Sequence, residues 1–261
     1  MYPHHEQTIQ RLTEHFQPDS NFLGLIIGGS VAKGWAAENS DVDFVLVATD
    51  EEFVRRSASG ELLYFSKDFT DYEGGYVDGK IENVGFLEEV ADHGSEVARA
   101  AFVSTWLAYS HDDRLDPLIK RIPVYPEAER EAKMKSFYSQ VVVGNWFISE
   151  AEKRRDRYLL THAASEMALF GGRLILAYNR MLYPYHKWFT HELARAPQKP
   201  ADFLDRFHWL LNAPSVASAQ AFTDMLTAFH EWGVPFPETF VNFTRDSEWN
   251  WRTQRAPLQD W

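Results

Sequence analysis

The residues best suited to phosphate chemistry are Gly28, Gly29 and Ser30, which directly follow the apolar run FLGLII. Two successive glycines let a backbone approach an anion closely, because neither residue has a Cβ atom. The Ser30 hydroxyl can donate a hydrogen bond to a phosphate oxygen, and a helix that starts here would add unpaired amide groups. The pattern therefore predicts a binding site for a polyphosphate.

Two aspartates follow at alternate positions, Asp41 and Asp43, in front of the apolar run FVLV. At the start of a strand both carboxylates leave the same face of the sheet, while Val42 and Phe44 point the other way, into the core. Two like charges on one face repel each other unless a cation lies near them. Such carboxylates can hold a pair of Mg²⁺ ions roughly 3.5–4 Å apart, an arrangement that serves phosphoryl-group chemistry.

A third carboxylate for such a site must come from a neighbouring strand, and the segment YVDGKIEN offers two. Asp78, Lys80 and Glu82 lie on one face of that predicted strand, because side chains alternate along a strand. We favour Asp78, since Lys80 would then reach the same site and could contact phosphate. Glu82 stays an alternative.

The elements that must position these residues form a mixed α/β pattern in the first half of the chain. Helical spacing predicts a helix over 5–16, and Ser30 is expected to be the N-cap of a short helix at SVAKGWAA. Strands are predicted at 22–29, 43–47, 61–69, 75–86 and 105–113, and further helices at 51–59, 86–94 and 116–122.

Beyond about Pro126 the strand signals stop, and helical periods cover 127–160, 161–182, 200–212 and 215–232. We therefore expect an α/β (α+β) N-terminal domain with a mixed sheet over residues 1–125, followed by an all-α helical bundle over 126–261. The tail is rich in tryptophan, and Trp249, Trp251 and Trp261 are expected to cap the core of the bundle. Stacking of these rings on a ligand is the alternative.

The segment GGSVAKGWAAENSDVDFVLV resembles the signature of the DNA polymerase beta-like nucleotidyltransferase superfamily, in which Gly-Gly-Ser is followed by Ser-Asp-x-Asp before an apolar strand. Within it the chain is most similar to two-domain nucleotidyltransferases of the aminoglycoside and lincosamide type. The resemblance implies Gly29 and Ser30 at the triphosphate, and Asp41, Asp43 and Asp78 as metal ligands. It covers roughly residues 20–125, and Gly79 departs from it, since an apolar residue usually follows the third carboxylate.

In the enzymes that this chain resembles, the helical bundle binds the acceptor. Residues that contact the acceptor are therefore expected in the segment 157–182. Glu166 lies there among apolar neighbours, and a carboxylate in that setting could take the proton from an acceptor hydroxyl. The other interpretation, which the sequence favours, is a structural ion pair with Arg173 or His162, which share its helix face. Lys187 follows the break at LYPYH, and the resemblance suggests that it reaches the triphosphate; a solvated loop lysine is the alternative.

Composition and charge restrict the partners. Residues 1–125 carry 10 basic and 22 acidic residues, a net charge of −12, and the remainder carries 16 of each. A domain so acidic is a poor partner for long nucleic acid, because affinity for a polyanion comes largely from basic side chains. No apolar run is long enough to span a membrane, no signal peptide is evident, and the absence of cysteine excludes thiolate metal sites. We expect a cytoplasmic monomer or homodimer.

These observations predict an enzyme that transfers a nucleoside monophosphate to a hydroxyl of a small, cationic acceptor and releases pyrophosphate. AMP from Mg-ATP, with two Mg²⁺ ions, is the expected donor, as in antibiotic-modifying enzymes. One alternative is nucleotidylation of a protein or RNA, as in nucleotide-transferring antitoxins. Another is a nucleotide-binding protein without catalysis.

Overall fold

The computed structural model of the chain describes residues 1–253 of 261. They form two compact units, of which the first covers residues 1–124 and the second begins at Tyr125. The first unit contains a mixed sheet with helices, and the second is helical. The predicted fold class, an α/β domain followed by an all-α region, is therefore confirmed. The domain boundary predicted from the sequence lies between residues 125 and 126.

The first unit alternates strands and helices along the chain. Its strands are β1 (Phe22–Ile27), β2 (Val42–Ala48), β3 (Leu63–Ser66), β4 (Val77–Asn83) and β5 (Trp106–Ser110). Its helices are α1 (Pro3–Phe16), α2 (Gly29–Ala32), α3 (Asp50–Ser59), α4 (Val84–His93), α5 (Glu96–Ala100) and α6 (Leu115–Arg121).

The five strands form one sheet in the order β3-β4-β2-β1-β5. The pairing of β2 with β4 is parallel, and the other three pairings are antiparallel. β2 therefore lies at the centre, with β1 on one side and β4 on the other. Because the polar motifs lie on or beside these three strands, the sheet itself brings them together.

Each face of the sheet carries its own core. On one face, Leu12 and Phe16 of α1 pack in a buried cluster that includes Phe44 of β2. On the other face, Val47 of β2 belongs to a cluster with Leu87 of α4. Side chains that alternate along a half-buried strand explain this division.

Side-chain caps fix where several helices begin. The Thr49 side chain accepts a backbone N–H bond at the start of α3, and Asn83 does so at the start of α4. The predicted N-cap role of Ser30 is wrong, because the one-turn helix α2 begins at Gly29 and its N-cap is Gly28. The N-cap therefore lies two residues earlier than predicted, and Gly28 adopts the extended N-cap conformation without a side-chain hydrogen bond.

The second unit consists of helices. They are α7 (Arg130–Arg154), α8 (Arg157–Tyr178), α9 (Phe189–Arg195), α10 (Phe203–Asn212), α11 (Val216–Phe229) and α12 (Phe236–Phe243). A π-helical turn, Thr244–Glu248, follows α12. The main core of this unit contains fully buried rings, such as Phe203 and Phe222, together with Trp232.

The break between α7 and α8 differs from the sequence prediction, which placed it after residue 160. It lies at Arg155 and Asp156. Arg155 adopts a left-handed conformation with φ of 55° and ends α7, and the Asp156 carboxylate accepts the Leu159 N–H at 3.0 Å to begin α8. Without a glycine or proline at this position, the sequence offered no common stop signal.

The prediction that tail tryptophans cap the bundle core is not supported where the structure describes them. Trp249 and Trp251 are exposed, by 51% and 64% of their surface. Trp261 lies outside the described residues. No helix within residues 1–253 combines the length and the apolar character needed to cross a membrane.

Gly79, the departure from the superfamily pattern, has a packing explanation. It pairs with Phe44 in the parallel register of β4 and β2, and a Cβ atom on Gly79 would overlap the Phe44 ring. The Phe44 side chain is itself buried, with only 3% of its surface exposed. The ring therefore fills the volume that a side chain at position 79 would need.

We expect Gly79→Ala to destabilise the protein by about 1–3 kcal/mol, because the added methyl group overpacks a closed core. Gly85→Ala is the matched control: a Cβ there makes only ordinary contacts, at 3.7 Å and beyond, within α4. That control should leave stability unchanged or raise it by up to about 1 kcal/mol. Urea unfolding measures both, and equal effects of the two substitutions would contradict the packing argument.

Candidate functional site

The Gly-Gly turn lies directly beside the Asp43 carboxylate. The Gly28 N–H donates a hydrogen bond to the Asp43 carbonyl oxygen at 2.9 Å, which extends the pairing of β1 and β2 by one step. Gly29 has a left-handed φ of 61°, and a Cβ atom there would overlap the Asp43 carboxylate. Only glycine fits this position, for reasons of both conformation and space.

The single turn α2 then carries Ser30 into the site. The Gly28 carbonyl accepts the Ala32 N–H at 3.1 Å and the Gly29 carbonyl accepts the Lys33 N–H at 3.2 Å, so the first amides of the turn have no partner within the helix. Ser30 is buried, with 8% of its surface exposed. The turn places backbone donors next to the aspartates of β2.

The strand register brings Asp78, rather than Glu82, alongside Asp43. In the parallel pairing of β2 and β4, Asp43 lies opposite Asp78, whereas Glu82 lies opposite Val47. Neighbouring strands are roughly 4.8 Å apart, so the two aspartates extend side by side from one face. Burial raises the pKa of Glu82, which Lys80 partly offsets, and Glu82 lies four residues from this end of the sheet. The geometry therefore favours Asp78 as the third carboxylate.

The alternation predicted around Asp41 and Asp43 is observed. Val42 and Phe44 are buried, whereas Asp41 and Asp43 are half-buried. Lys80 is exposed and lies opposite Val45, two residues along β4 from Asp78. A lysine at that distance along the strand stays on the same face as the carboxylates.

Tyr76 is a site residue that the sequence reasoning missed. Its hydroxyl donates a hydrogen bond to Asp41, and this bond, with the charges of Asp41, Asp43 and Asp78, raises the pKa of Tyr76 to about 12. Asp41, Asp43 and Asp78 thus all lie within electrostatic range of one phenol. The spacing in the sequence could have indicated this role, because Tyr76 lies two residues before Asp78 and therefore on the same face of the strand.

The backbone just before Asp41 is held from the N-terminal helix. The His5 ring contacts the Ser40 carbonyl oxygen through Nε2 at 3.1 Å, and the Tyr72 hydroxyl donates to the same oxygen at 2.7 Å. His5 is fully buried, and this burial, followed by the charge of His4, lowers its pKa. The neutral ring and the phenol together fix the chain where it enters β2.

The donor set fits magnesium in its chemistry, because carboxylates beside unpaired backbone amides are suited to a metal-bound polyphosphate. The glycine cradle over Asp43 supports this fit. Among residues 1–253, however, no three acidic or histidine side chains are grouped closely enough to hold one metal ion as they stand. The metal-ligand roles of Asp41, Asp43 and Asp78 therefore stay predictions.

Two predicted site residues belong to the helical unit. Glu166 is half-buried on α8, and among the described residues it forms neither an ion pair nor a hydrogen bond, so its alternative role as a structural ion pair is not observed. Lys187 is exposed in a short 3₁₀ turn, with its ammonium group 5.9 Å from the centre of the Trp188 ring. The roles of both residues stay predictions.

The environment of Tyr76 yields a direct test of the carboxylate cluster. In Asp41→Asn the pKa of Tyr76 should fall from about 12 towards the ordinary value of 10.0, because both the charged acceptor and its field are lost. Asp78→Asn should lower it less, since Asp78 acts by charge alone. The ¹³Cζ resonance of Tyr76, assigned with Tyr76→Phe, reports the titration.

Asp116→Asn, which removes an exposed carboxylate paired with Lys120, is the matched control and should leave that titration unchanged. An identical Tyr76 titration in wild type and Asp41→Asn would show that the phenol does not bond to Asp41.

Comparisons with known proteins support the fold and nothing finer. No protein-family model matches the chain, and no curated protein matches it. Among solved structures, it is similar to the crystal structure of a nucleotidyltransferase-like protein from Exiguobacterium sibiricum 255-15, at 11% sequence identity and a TM-score of 0.50. The alignment covers 97% of this chain and 81% of that one.

At so low an identity the likeness concerns the fold alone, and it does not distinguish the aminoglycoside and lincosamide type from other nucleotidyltransferases. What it adds to the geometry is that this chain shares its fold with a nucleotidyltransferase-like protein.

Proposed function

We propose that the protein transfers a nucleoside monophosphate, AMP from Mg-ATP, to a hydroxyl group of a small acceptor. The observation that carries this proposal is the close approach of the Gly29 backbone to the Asp43 carboxylate, which leaves no room for a Cβ atom and lies beside Asp78 in the strand register. A polyphosphate that carries Mg²⁺ needs both halves of such a site, amide donors for its oxygens and carboxylates for its metal. The shared fold supports the same conclusion.

In this proposal the triphosphate tail lies against the turn at Gly28, Gly29 and Ser30, whose amides and hydroxyl donate to its oxygens. Asp41, Asp43 and Asp78 would hold two Mg²⁺ ions, which would stabilise the attacking and the leaving oxygens. The glycines bring the backbone of the turn close to the aspartates, and a side chain at position 29 would displace the Asp43 carboxylate.

The reaction forms a bond between the acceptor oxygen and the α-phosphorus and breaks the bond from that phosphorus to the bridging oxygen of pyrophosphate. The acceptor hydroxyl loses its proton, and Glu166 is the proposed base, because it is half-buried and unpaired among the described residues. Lys80 and Lys187 are proposed to contact the phosphates and offset the charge on the departing pyrophosphate.

The acidic surface of the first unit favours an acceptor that is cationic. Residues 1–125 carry an excess of 12 acidic over basic side chains, and such a field raises the local concentration of cations. It also disfavours long nucleic acid as a partner. A labelled protein after incubation with radiolabelled ATP would instead favour a macromolecular acceptor.

Thermal-shift titration with ATP, CTP, GTP and UTP, each with and without Mg²⁺, tests whether the protein binds the nucleotide that would supply the transferred group. At a hundredfold excess over Kd, Mg-ATP should stabilise the fold by about 2.7 kcal/mol, several degrees in Tm. Asp41→Ala should remove the magnesium-dependent part of this shift. Gly29→Ala should remove the shift altogether, because a Cβ at this left-handed position overlaps the Asp43 carboxylate and so disturbs both the turn and a proposed metal ligand.

Asp92→Ala is the matched control, since it removes an exposed carboxylate of α4, paired with Arg121, from the same unit. It should bind Mg-ATP as wild type does. A full Mg-ATP shift in Asp41→Ala would contradict the metal assignment. Nucleotide binding without pyrophosphate release across a broad acceptor panel would show a binding protein rather than an enzyme.

A further inference from the structure

The helical unit contains a cavity of about 770 Å³. It lies between α7, α8 and the π-helical turn that follows α12. Its volume is within the range of small-molecule sites, roughly 300–1,000 Å³. A π-helical turn in its wall is notable, because such turns occur frequently at functional sites.

Two carboxylates line this cavity. Glu166 comes from α8, and Asp246 comes from the π-helical turn. The Asp246 Oδ2 atom is buried and accepts no hydrogen bond from the described residues. A buried carboxylate oxygen without a donor is costly, and a ligand that supplies one would relieve the cost.

Among the described residues that line the cavity, the carboxylates and the guanidinium sum to one negative charge, and the wall is largely aromatic. Against the two carboxylates stands one guanidinium, that of Arg173, which lies 4.3 Å from the centre of the Phe137 ring. The aromatic lining consists of Phe137, Phe147, Tyr158, Phe170 and Phe243. Rings of this kind favour an apolar body over a polyhydroxylated one, and they also attract a cation.

Hydrogen bonds fix the wall that carries Asp246. The Gln140 side chain of α7 donates to the Ser247 hydroxyl at 3.0 Å, and the Asn242 amide donates to Ser139 at 3.3 Å. These bonds connect Asn242 of α12 and Ser247 of the π-helical turn to α7, one before and one after Asp246 in the chain. The chain segment that carries Asp246 is therefore held against α7.

We propose that this cavity binds an organic ammonium ion with an apolar, aromatic-sized body. The ammonium group donates to Asp246 Oδ2 and faces Glu166, and the body packs on the rings of α7 and α8. One positive charge matches the one unbalanced negative charge of the lining. Glu166 is also the proposed base of the transfer reaction, but the ammonium ion binds without nucleotide or magnesium, so its binding is measured apart from transfer.

Isothermal titration calorimetry on the full chain tests this with three matched probes. 2-Phenylethylamine, 2-phenylethanol and phenylacetate share a ring and differ in carrying a positive charge, no charge or a negative charge. We expect the amine to bind about tenfold more tightly than the alcohol and phenylacetate to bind more weakly still, because a charge-assisted hydrogen bond forms only with the amine. Equal affinities for amine and alcohol would overturn the proposal.

Asp246→Asn keeps the shape of the side chain and should weaken amine binding about tenfold while leaving alcohol binding unchanged. Glu166→Gln should act in the same direction. Glu238→Gln, which alters an exposed carboxylate of α12 outside the cavity, is the control and should have no effect. Unchanged amine binding in both Asp246→Asn and Glu166→Gln would overturn the assignment.

The test of amine binding can be distinguished from the test of nucleotide transfer. 2-Phenylethylamine has no hydroxyl group, so its binding is measured without transfer. Asp41→Ala should keep the amine site while it loses the magnesium-dependent shift with ATP, and Asp246→Asn should show the reverse. Each proposal can therefore fail while the other stands.

Discussion

The parallel pairing of β2 with β4 is the constraint on which the candidate phosphate site depends. It sets Asp43 opposite Asp78, and the antiparallel neighbour β1 delivers the glycine turn to the same point through the Gly28–Asp43 hydrogen bond. A slip of one residue in either pairing would turn the carboxylates to the opposite face, towards the core beneath α1. The apolar residues between the aspartates prevent that slip, because they are buried only in this register.

Local pattern was enough to predict much of this arrangement. The alternation of Val42 and Phe44 with two aspartates indicated a strand end with one polar face, and the glycines indicated a tight turn after a buried strand. Both features follow from the period of a strand and from the missing Cβ of glycine. The helical character of the second half followed in the same way from apolar spacing.

Contacts between distant segments could not be predicted in this way. The ring of His5 reaches the Ser40 carbonyl across 35 residues, and neither side of that contact has a sequence signature. Asp246 belongs to a π-helical turn, which apolar spacing does not indicate, and its approach to α8 depends on tertiary packing. The break at Arg155 was missed because a left-handed arginine is uncommon, and no residue nearby indicated one.

The overlap of Phe44 with the space at Gly79 makes two positions on adjacent strands share a single side-chain volume. In homologous chains positions 44 and 79 should therefore co-vary. Wherever position 79 has gained a side chain, position 44 should hold a residue smaller than phenylalanine. The same volume between the two strands can then be filled in two ways: by an apolar residue at position 79, as in the superfamily pattern, or by the Phe44 ring beside a glycine, as in this chain. Sequence searches that score the two positions as a pair, rather than singly, should detect relatives of this chain that single-position scoring overlooks.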